Sequence, residues 1–303
     1  MPVADFDFDA LKEYITSSKD QSLKQLAQVY KKRYVGSSSS MTGVLAHFHF
    51  LLSQWRSINT TMLSKTFPDP YLTFTELQRN PSAIFLTWQD GSYAIDADKQ
   101  FDTANILMMF GKSMEKLMTL DTADFERYRK SNPEQVTEEE RNAPESFHYT
   151  TMGDFLMRSQ LDAFDSRLPG TGMFDLKTRA VVSIRMEPQS PHLGVGYQIK
   201  SSQGDYESFE REYYDMIRAA FLKYSLQVRM GRMDGIFVAY HNTERIFGFQ
   251  YISIEEMDFS LHGQRDTSVG DQEFKLSLKL LNEALDRATK KYPEKVSKVF
   301  GIK

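Results

Sequence analysis

Apolar residues three and four apart run through the first part of the chain. The stretches DALKEYITSS, SLKQLAQVYKKRY and MTGVLAHFHFLLSQWRSINTTML carry this period, and the spacing predicts helices on them. Residues 1–66 are therefore expected to form an N-terminal helical extension to a larger domain over 67–303. Ser37 to Ser40 precede the third helix, where a serine hydroxyl caps free backbone N–H groups. A phosphate site at that helix start is the weaker alternative.

Two apolar runs flank Asp90-Gly91 in AIFLTWQDGSYAID, which is a hairpin signal. DTANILMMFGKSMEKLMTL returns to the helical period, and the polar SNPEQVTEEERNAPES reads as an exposed loop or weak helix. From Asp154 the period shortens to two. DFLMRSQLDAFDS and GMFDLKTRAVVSIRM, on either side of RLPGT, are expected as a hairpin of two long strands. After the loop PQSPHLGVGYQIKSSQGDY come one long helix over YESFEREYYDMIRAAFLKYSLQVRM, strands at GIFVAYHN and RIFGFQYISI, and a helix at DQEFKLSLKLLNEALDRATKKY. This order predicts an α/β fold with a mixed β-sheet flanked by helices.

Composition narrows the chemistry. With 303 residues, 41% hydrophobic and 13% aromatic, the chain can build one large domain or two small ones. The net charge of −4 carries no global nucleic-acid footprint, although a local groove or a bound ion can still attract phosphate. The absence of cysteine excludes disulfides, thiolate metal sites and cysteine nucleophiles. No apolar run reaches the roughly 18–20 residues of a membrane span. The acidic opening MPVADFDFDALKEY lacks the core of a signal peptide and the arginines of a transit peptide, so no targeting segment is expected in it.

The strand period sorts the hairpin into faces. Phe174, Leu176, Ala180, Val182 and Ile184 share one face of the second strand; Asp175, Lys177 and Arg179 share the other. On the first strand Arg158, Gln160 and Asp162 lie together, opposite Met157, Leu161 and Ala163. Closing the hairpin near Pro169 brings Asp162 to Asp175. Two close carboxylates repel unless a cation lies between them. Oxygen-only ligands point to Mg²⁺ or Mn²⁺, with Lys177 placed to orient a water or to stabilise developing charge. A surface ion pair is the blander reading of Asp175 and Lys177. Glu273-Phe274-Lys275 repeats the triplet on a helix and reads as a solvated face, and Pro68-Asp69 lies far upstream in a loop. His47 and His49 flank Phe48 in an apolar helix, the other four histidines are scattered, and no spacing suggests a zinc site.

An acid, a turn, a strand with D-x-K and then a helix resemble the PD-(D/E)XK nuclease superfamily, whose core is restriction-endonuclease-like. The resemblance implies a glutamate on the upstream helix, which GKSMEKLM supplies as Glu115 after Gly111, and a glutamine on the following helix, Gln227 in KYSLQVRM. Glu115, Asp162 and Asp175 would then be metal ligands assisted by the Leu176 carbonyl, with Lys177 handling the attacking water. No proline precedes the second acid, and Asp165 rivals Asp162 for that position. Arg158, Arg179 and Arg229, with Arg232, are candidate phosphate contacts. Phe209, Tyr213 and Tyr214 read as core.

YVGSSSSMTGVLAHFHFLLSQWR, DSRLPGTGMFDLKTRA and LQVRMGRMDGIFVAYHNT are similar to a fungal mitochondrial RNA-processing family, Pet one-two-seven. That resemblance implies a Mg- or Mn-dependent 5′-to-3′ exoribonuclease acting on single-stranded RNA in transcript 5′-end processing and turnover. It also implies a mitochondrial matrix location, peripheral inner-membrane association, and mitochondrial RNA polymerase or RNA-turnover proteins as partners. The alternative is a catalytically inactive nuclease-like module that binds RNA or regulates a processing complex. A third reading leaves the charges as a structural network.

Overall fold

The computed structural model describes residues 1–68, 70–99, 106–143 and 145–300. Asp69 and the first residues of the helix expected from 102 lie outside them. In chain order the elements are α1 (Gln21–Val29), β1 (Tyr34–Ser37), α2 (Ser38–Leu52), α3 (Glu76–Arg79), β2 (Ala83–Gln89), β3 (Ser92–Ala97), α4 (Ile106–Thr119), α5 (Thr122–Glu126) and α6 (Glu138–Arg141). There follow β4 (Phe147–Met152), β5 (Phe155–Gln160), β6 (Ala163–Phe164), β7 (Met173–Ala180), α7 (Val182–Met186), α8 (Phe209–Ala219) and α9 (Phe221–Gly231). The last are β8 (Gly235–His241), β9 (Ile246–Ser253), α10 (Ile254–His262), α11 (Ser268–Lys291) and β10 (Ser297–Phe300).

The strands form two mixed sheets flanked by helices, in the orders β10-β2-β3-β1-β5-β4 and β6-β7-β8-β9. Parallel pairs lie inside each sheet, β3-β1-β5 in the first and β7-β8 in the second, and antiparallel strands close the edges. The central strands are buried on both faces, as parallel strands generally are: every residue of β1 and the first five of β5 are buried. One continuous core joins α2, α9 and α11 to residues of both sheets, including Tyr34, Phe50, Phe155, Leu226, Val238 and Leu281. Helix α9 packs on β4 and β5 of the large sheet and on β8 of the small one.

Several expectations hold. Asp90 and Gly91 both have positive φ, 44° and 101°, as a two-residue turn between β2 and β3 requires. Ser37 caps α2 in a capping box with Ser40. Others are corrected. Residues 9–18 form short 3-10 turns and irregular chain instead of a helix. Tyr34–Ser37 is a strand at the centre of the six-stranded sheet, so residues 1–66 share their sheet and core with the rest of the chain. A Cβ at Gly36 would push the buried Met41 side chain aside. The long helix expected over 206–230 breaks at Ala220, whose φ of −142° leaves the helical region. VVSIRM turns into α7 instead of continuing β7.

The long hairpin is also revised. Residues 155–160 belong to the large sheet, while only Ala163 and Phe164 pair with β7. Leu161 and Asp162 are the crossing between the two sheets. Among the described residues no helix is long and apolar enough to cross a membrane.

Candidate active site

The crossing from β5 to β6 puts Asp162 where the sheets diverge. The register pairs Ala163 with Phe174, so Asp162 falls opposite Asp175 one residue on. Its Oδ2 accepts a 2.9 Å hydrogen bond from the Leu176 N–H. On β7, Asp175 and Lys177 point to one face and their side chains form an ion pair. Asp175 is buried and Lys177 half-buried. A pocket of about 300 Å³ opens over them, and Glu115, Asp162, Asp175, Leu176, Lys177 and Gln227 all line it. Arg158 and Gln160, on the Asp162 side of their strand, line it too.

Each element delivers its residue for a local reason. Helix α4 lies on β7, with Gly111 facing Thr178. A Cβ at Gly111 would make only ordinary contact, 3.5 Å from Thr178 Oγ1, so the position sets the approach of the helix without demanding glycine. Glu115 follows one turn later on the same helix face. Gln227 projects from α9, and its Oε1 is buried without a hydrogen-bond partner.

The electrostatics are those of an under-neutralised acidic centre. Burial raises the Asp162 carboxyl well above the usual range, and the hydrogen bond and negative charge of Asp175 push it further; Lys177 and the Leu176 N–H offset only part of this. Glu115 is raised chiefly by burial, with Lys116 opposing and Glu145 adding to it. Burial works to lower the Lys177 ammonium, but Asp175 and Asp162 outweigh it and hold it above its ordinary value. Lys177 is therefore a cation at neutral pH.

An all-oxygen set of two touching carboxylates, a nearby glutamate and the orphaned Gln227 oxygen suits a hard divalent ion. Yet among the described residues no three acidic or histidine side chains stand close enough together to enclose one. The pocket gathers the three predicted acids without assembling a closed ligand triad. Asp165 stays outside it, paired with Arg167 and held at about 2 by that guanidinium.

The predicted arginines separate. Arg158 lines the pocket, but its guanidinium is buried, paired with Asp20 and donating to the Ile15 carbonyl at 2.7 Å. Arg179 does not line the pocket. Two strand residues beyond Lys177 carry it roughly 7 Å deeper, where it is buried beside Glu212. Arg229, about 200° round α9 from Gln227, points away to Asp258 and Asp271. Arg232 caps the end of α9, exposed, with φ of 51°. Sequence reasoning missed Tyr14, Ser37, Ser38, Ser39, Glu145 and Phe147 on the pocket walls. They come from segments far apart in the chain, and only the serine run carried any signal.

Comparison with known proteins adds a family. A family model described as "Mitochondrial protein Pet127" matches residues 14–286. The Schizosaccharomyces pombe "mRNA degradation protein pet127, mitochondrial" is 41% identical over 309 residues, covering 99% of this chain and 58% of the relative. The Saccharomyces cerevisiae "Putative mitochondrial translation system component PET127" is 43% identical over 255 residues, covering 82% and 30%. The chain thus spans less than two thirds of the length of either relative. Rai1 of Scheffersomyces stipitis aligns at 11% identity over 99% of this chain and 79% of its own, with a TM-score of 0.42. Candida albicans Rai1 in complex with pU5-Mn2+ aligns at 11% over 99% and 76%, with a TM-score of 0.41; likenesses of that degree fix no side chain of the pocket. The family match runs from the N-terminal segment through both sheets to α11, and on that ground the chain belongs to the Pet127 family.

Proposed function

We propose that this chain is a metal-dependent nuclease of the PD-(D/E)XK type. On this reading it hydrolyses phosphodiester bonds of single-stranded RNA from the 5′ end, in mitochondrial transcript processing and turnover. The observation that carries the reading is the meeting of Glu115, Asp162, Asp175, Lys177 and Gln227, from three elements and the β5–β6 crossing, in one pocket. The names of the relatives, one an mRNA degradation protein and both mitochondrial, supply the substrate class and the compartment. The matrix, peripheral inner-membrane contact, and partnership with mitochondrial RNA polymerase or turnover proteins belong to the same reading through the family resemblance.

Asp162 and Asp175, with Glu115 and the Leu176 carbonyl, would hold Mg²⁺ or Mn²⁺. Bound there, the ion supplies Lewis-acid polarisation of the phosphate and acidifies a water. Lys177, charged through its acidic neighbours, donates to the attacking water or to a non-bridging phosphate oxygen. The free Oε1 of Gln227 accepts from that water and fixes its direction. Pairing with Asp20 holds Arg158 in the opposite wall.

A second reading, RNA binding or regulation without turnover, is favoured by one observation: the described acids do not form a closed ligand triad. Purified protein incubated with 5′-phosphorylated RNA and Mn²⁺ separates the two. Cleavage by the wild type should fall about 10²–10⁴-fold in Lys177→Ala and at least as far in Asp175→Asn. Label on the 5′ or the 3′ end reads the direction. Equal degradation by all three proteins would sink the site, and RNA binding without cleavage by the wild type would select the second reading.

A further inference from the structure

The acidic centre opens on two sides. Glu115, Glu145, Gln160 and Asp162 line the pocket described above and also a second one of about 250 Å³. The second pocket is walled by Lys12, Lys116 and Arg141, from the N-terminal segment, α4 and the end of α6. Among the described residues none of these three cations is closed into an ion pair, although Lys116 acts on Glu115 beside it in the chain. Arg141 is exposed and Lys116 half-exposed. The Lys12 ammonium donates to the Ala143 carbonyl at 3.0 Å, which ties the N-terminal segment across the mouth of this pocket. Glu140 also lines this pocket, and its carboxylate is taken by Arg127.

The first pocket offers a strand no such contacts. Its cations are Lys177, held by Asp175, and Arg158, committed to Asp20 and Ile15. Its far wall carries Ser37, Ser39 and Tyr14, whose hydroxyls hydrogen-bond to one another. A phosphodiester chain with one phosphate over Asp162 and Asp175 must leave by one side or the other. Among the described residues, the lining of the second pocket carries three cations outside any ion pair, whereas both cations lining the first are paired.

We propose that this second pocket is a backbone track for single-stranded RNA, in which Lys116 and Arg141, with Lys12 at the mouth, contact the phosphates that follow the one at the acidic centre. The assignment rests on the nuclease reading above and extends it to the path of the substrate. These contacts read charge and not base identity.

The test is the salt dependence of binding. Fluorescence anisotropy is recorded on 5′-phosphorylated ten-nucleotide RNAs of two sequences and on a phosphorylated dinucleotide, with Ca²⁺ replacing Mn²⁺. The proteins are the wild type, Lys116→Ala/Arg141→Ala, and the charge-keeping Lys116→Arg/Arg141→Lys. In the alanine pair the slope of log affinity against log salt should shrink by about 1.4 for both long RNAs, roughly 0.7 for each phosphate left without its cation. Dinucleotide binding should not change, and the charge-keeping pair should behave as wild type. Thermal unfolding of all three proteins confirms an intact fold. A wild-type slope in the alanine pair would overturn the track, as would an equal loss for the dinucleotide. Failure of the wild type to bind any of these RNAs would instead remove the nuclease reading itself.

Discussion

Two buried charge clusters in this molecule are built on opposite principles. In the first, at the junction of α2, α9, α10 and α11, each of Asp258, Asp271 and Glu273 has an arginine partner, although Asp258 Oδ1 is buried without a hydrogen bond. Arg229 pairs with Asp258 and Asp271, Arg56 and His49 both hold Glu273, and Arg56 donates to His262 Nδ1 at 2.9 Å. Burial works to raise Glu273, but His49, Arg56 and His262 overcome it and hold the carboxyl at about 2. Asp258 is buried more deeply and rises to about 6, with Arg229 limiting the rise. In the second cluster, the pocket centre, Asp162 faces another carboxylate and one shared lysine, and its carboxyl is driven far higher. Burial alone does not mark a site; burial with unmatched charge does. A paired cluster holds its acids by its own arginines. An uncompensated one is where the proposed cation would add the missing charge.

The comparison breaks hardest at Arg229. Arg229→Ala leaves Asp258 buried without its partner and should cost about 3–5 kcal/mol, read as a lower midpoint in urea unfolding. A change near zero would mean that the helix junction does not depend on its ion pairs.

Asp162 sharpens the contrast by moving the other way. A carboxyl raised in the folded state keeps its proton after the unfolded chain has lost its own at about 3.9. Stability of the metal-free protein therefore falls as pH rises from that value towards the raised folded value. Asp162→Asn keeps an oxygen for the Leu176 N–H and removes this loss. At neutral pH it should raise Tm in EDTA, by roughly 2–4 °C for each kcal/mol released, and flatten the pH profile. Mn²⁺ should stabilise the wild type and not the variant. A lower Tm in EDTA would mean that the carboxyl pair is not under strain.

The smallest effect is expected at Ser37, which stands on the pocket wall and also caps α2. Ser37→Ala should cost about 1 kcal/mol of stability and leave cleavage unchanged per folded molecule. A selective loss of cleavage would move the α2 start from scaffold to site.

Legibility differed along the chain for physical reasons. The two-residue turn at Asp90-Gly91, the serine cap and the faces of β7 were readable, because each depends on neighbours within a few residues. The faces placed Arg158, Gln160 and Asp162 together, and all three line the pocket. β1 was missed because four residues buried on both faces show no alternation, and helical stretches flank them. The break at Ala220 was missed because each half of the stretch keeps the helical period on its own. Arg179 and Arg229 were put near phosphate from their proximity in sequence to Lys177 and Gln227. Depth along a strand and rotation around a helix carry them elsewhere.

By itself the sequence determined the face of β7 that Asp175 and Lys177 share, since side-chain alternation is a property of the strand alone. It also set the order of elements and left Asp162 and Asp165 as rivals. Tertiary structure put Asp162 on the pocket and left Asp165 outside its lining. The chain leaves one sheet at Gln160 and enters the other at Ala163, and the residue caught at the crossing is Asp162. It also decided that the pocket has two sides, because Lys12, Lys116 and Arg141 meet only when three distant segments fold against one another. Local sequence encodes which way a side chain points along its own element. What it meets depends on the packing of the whole chain.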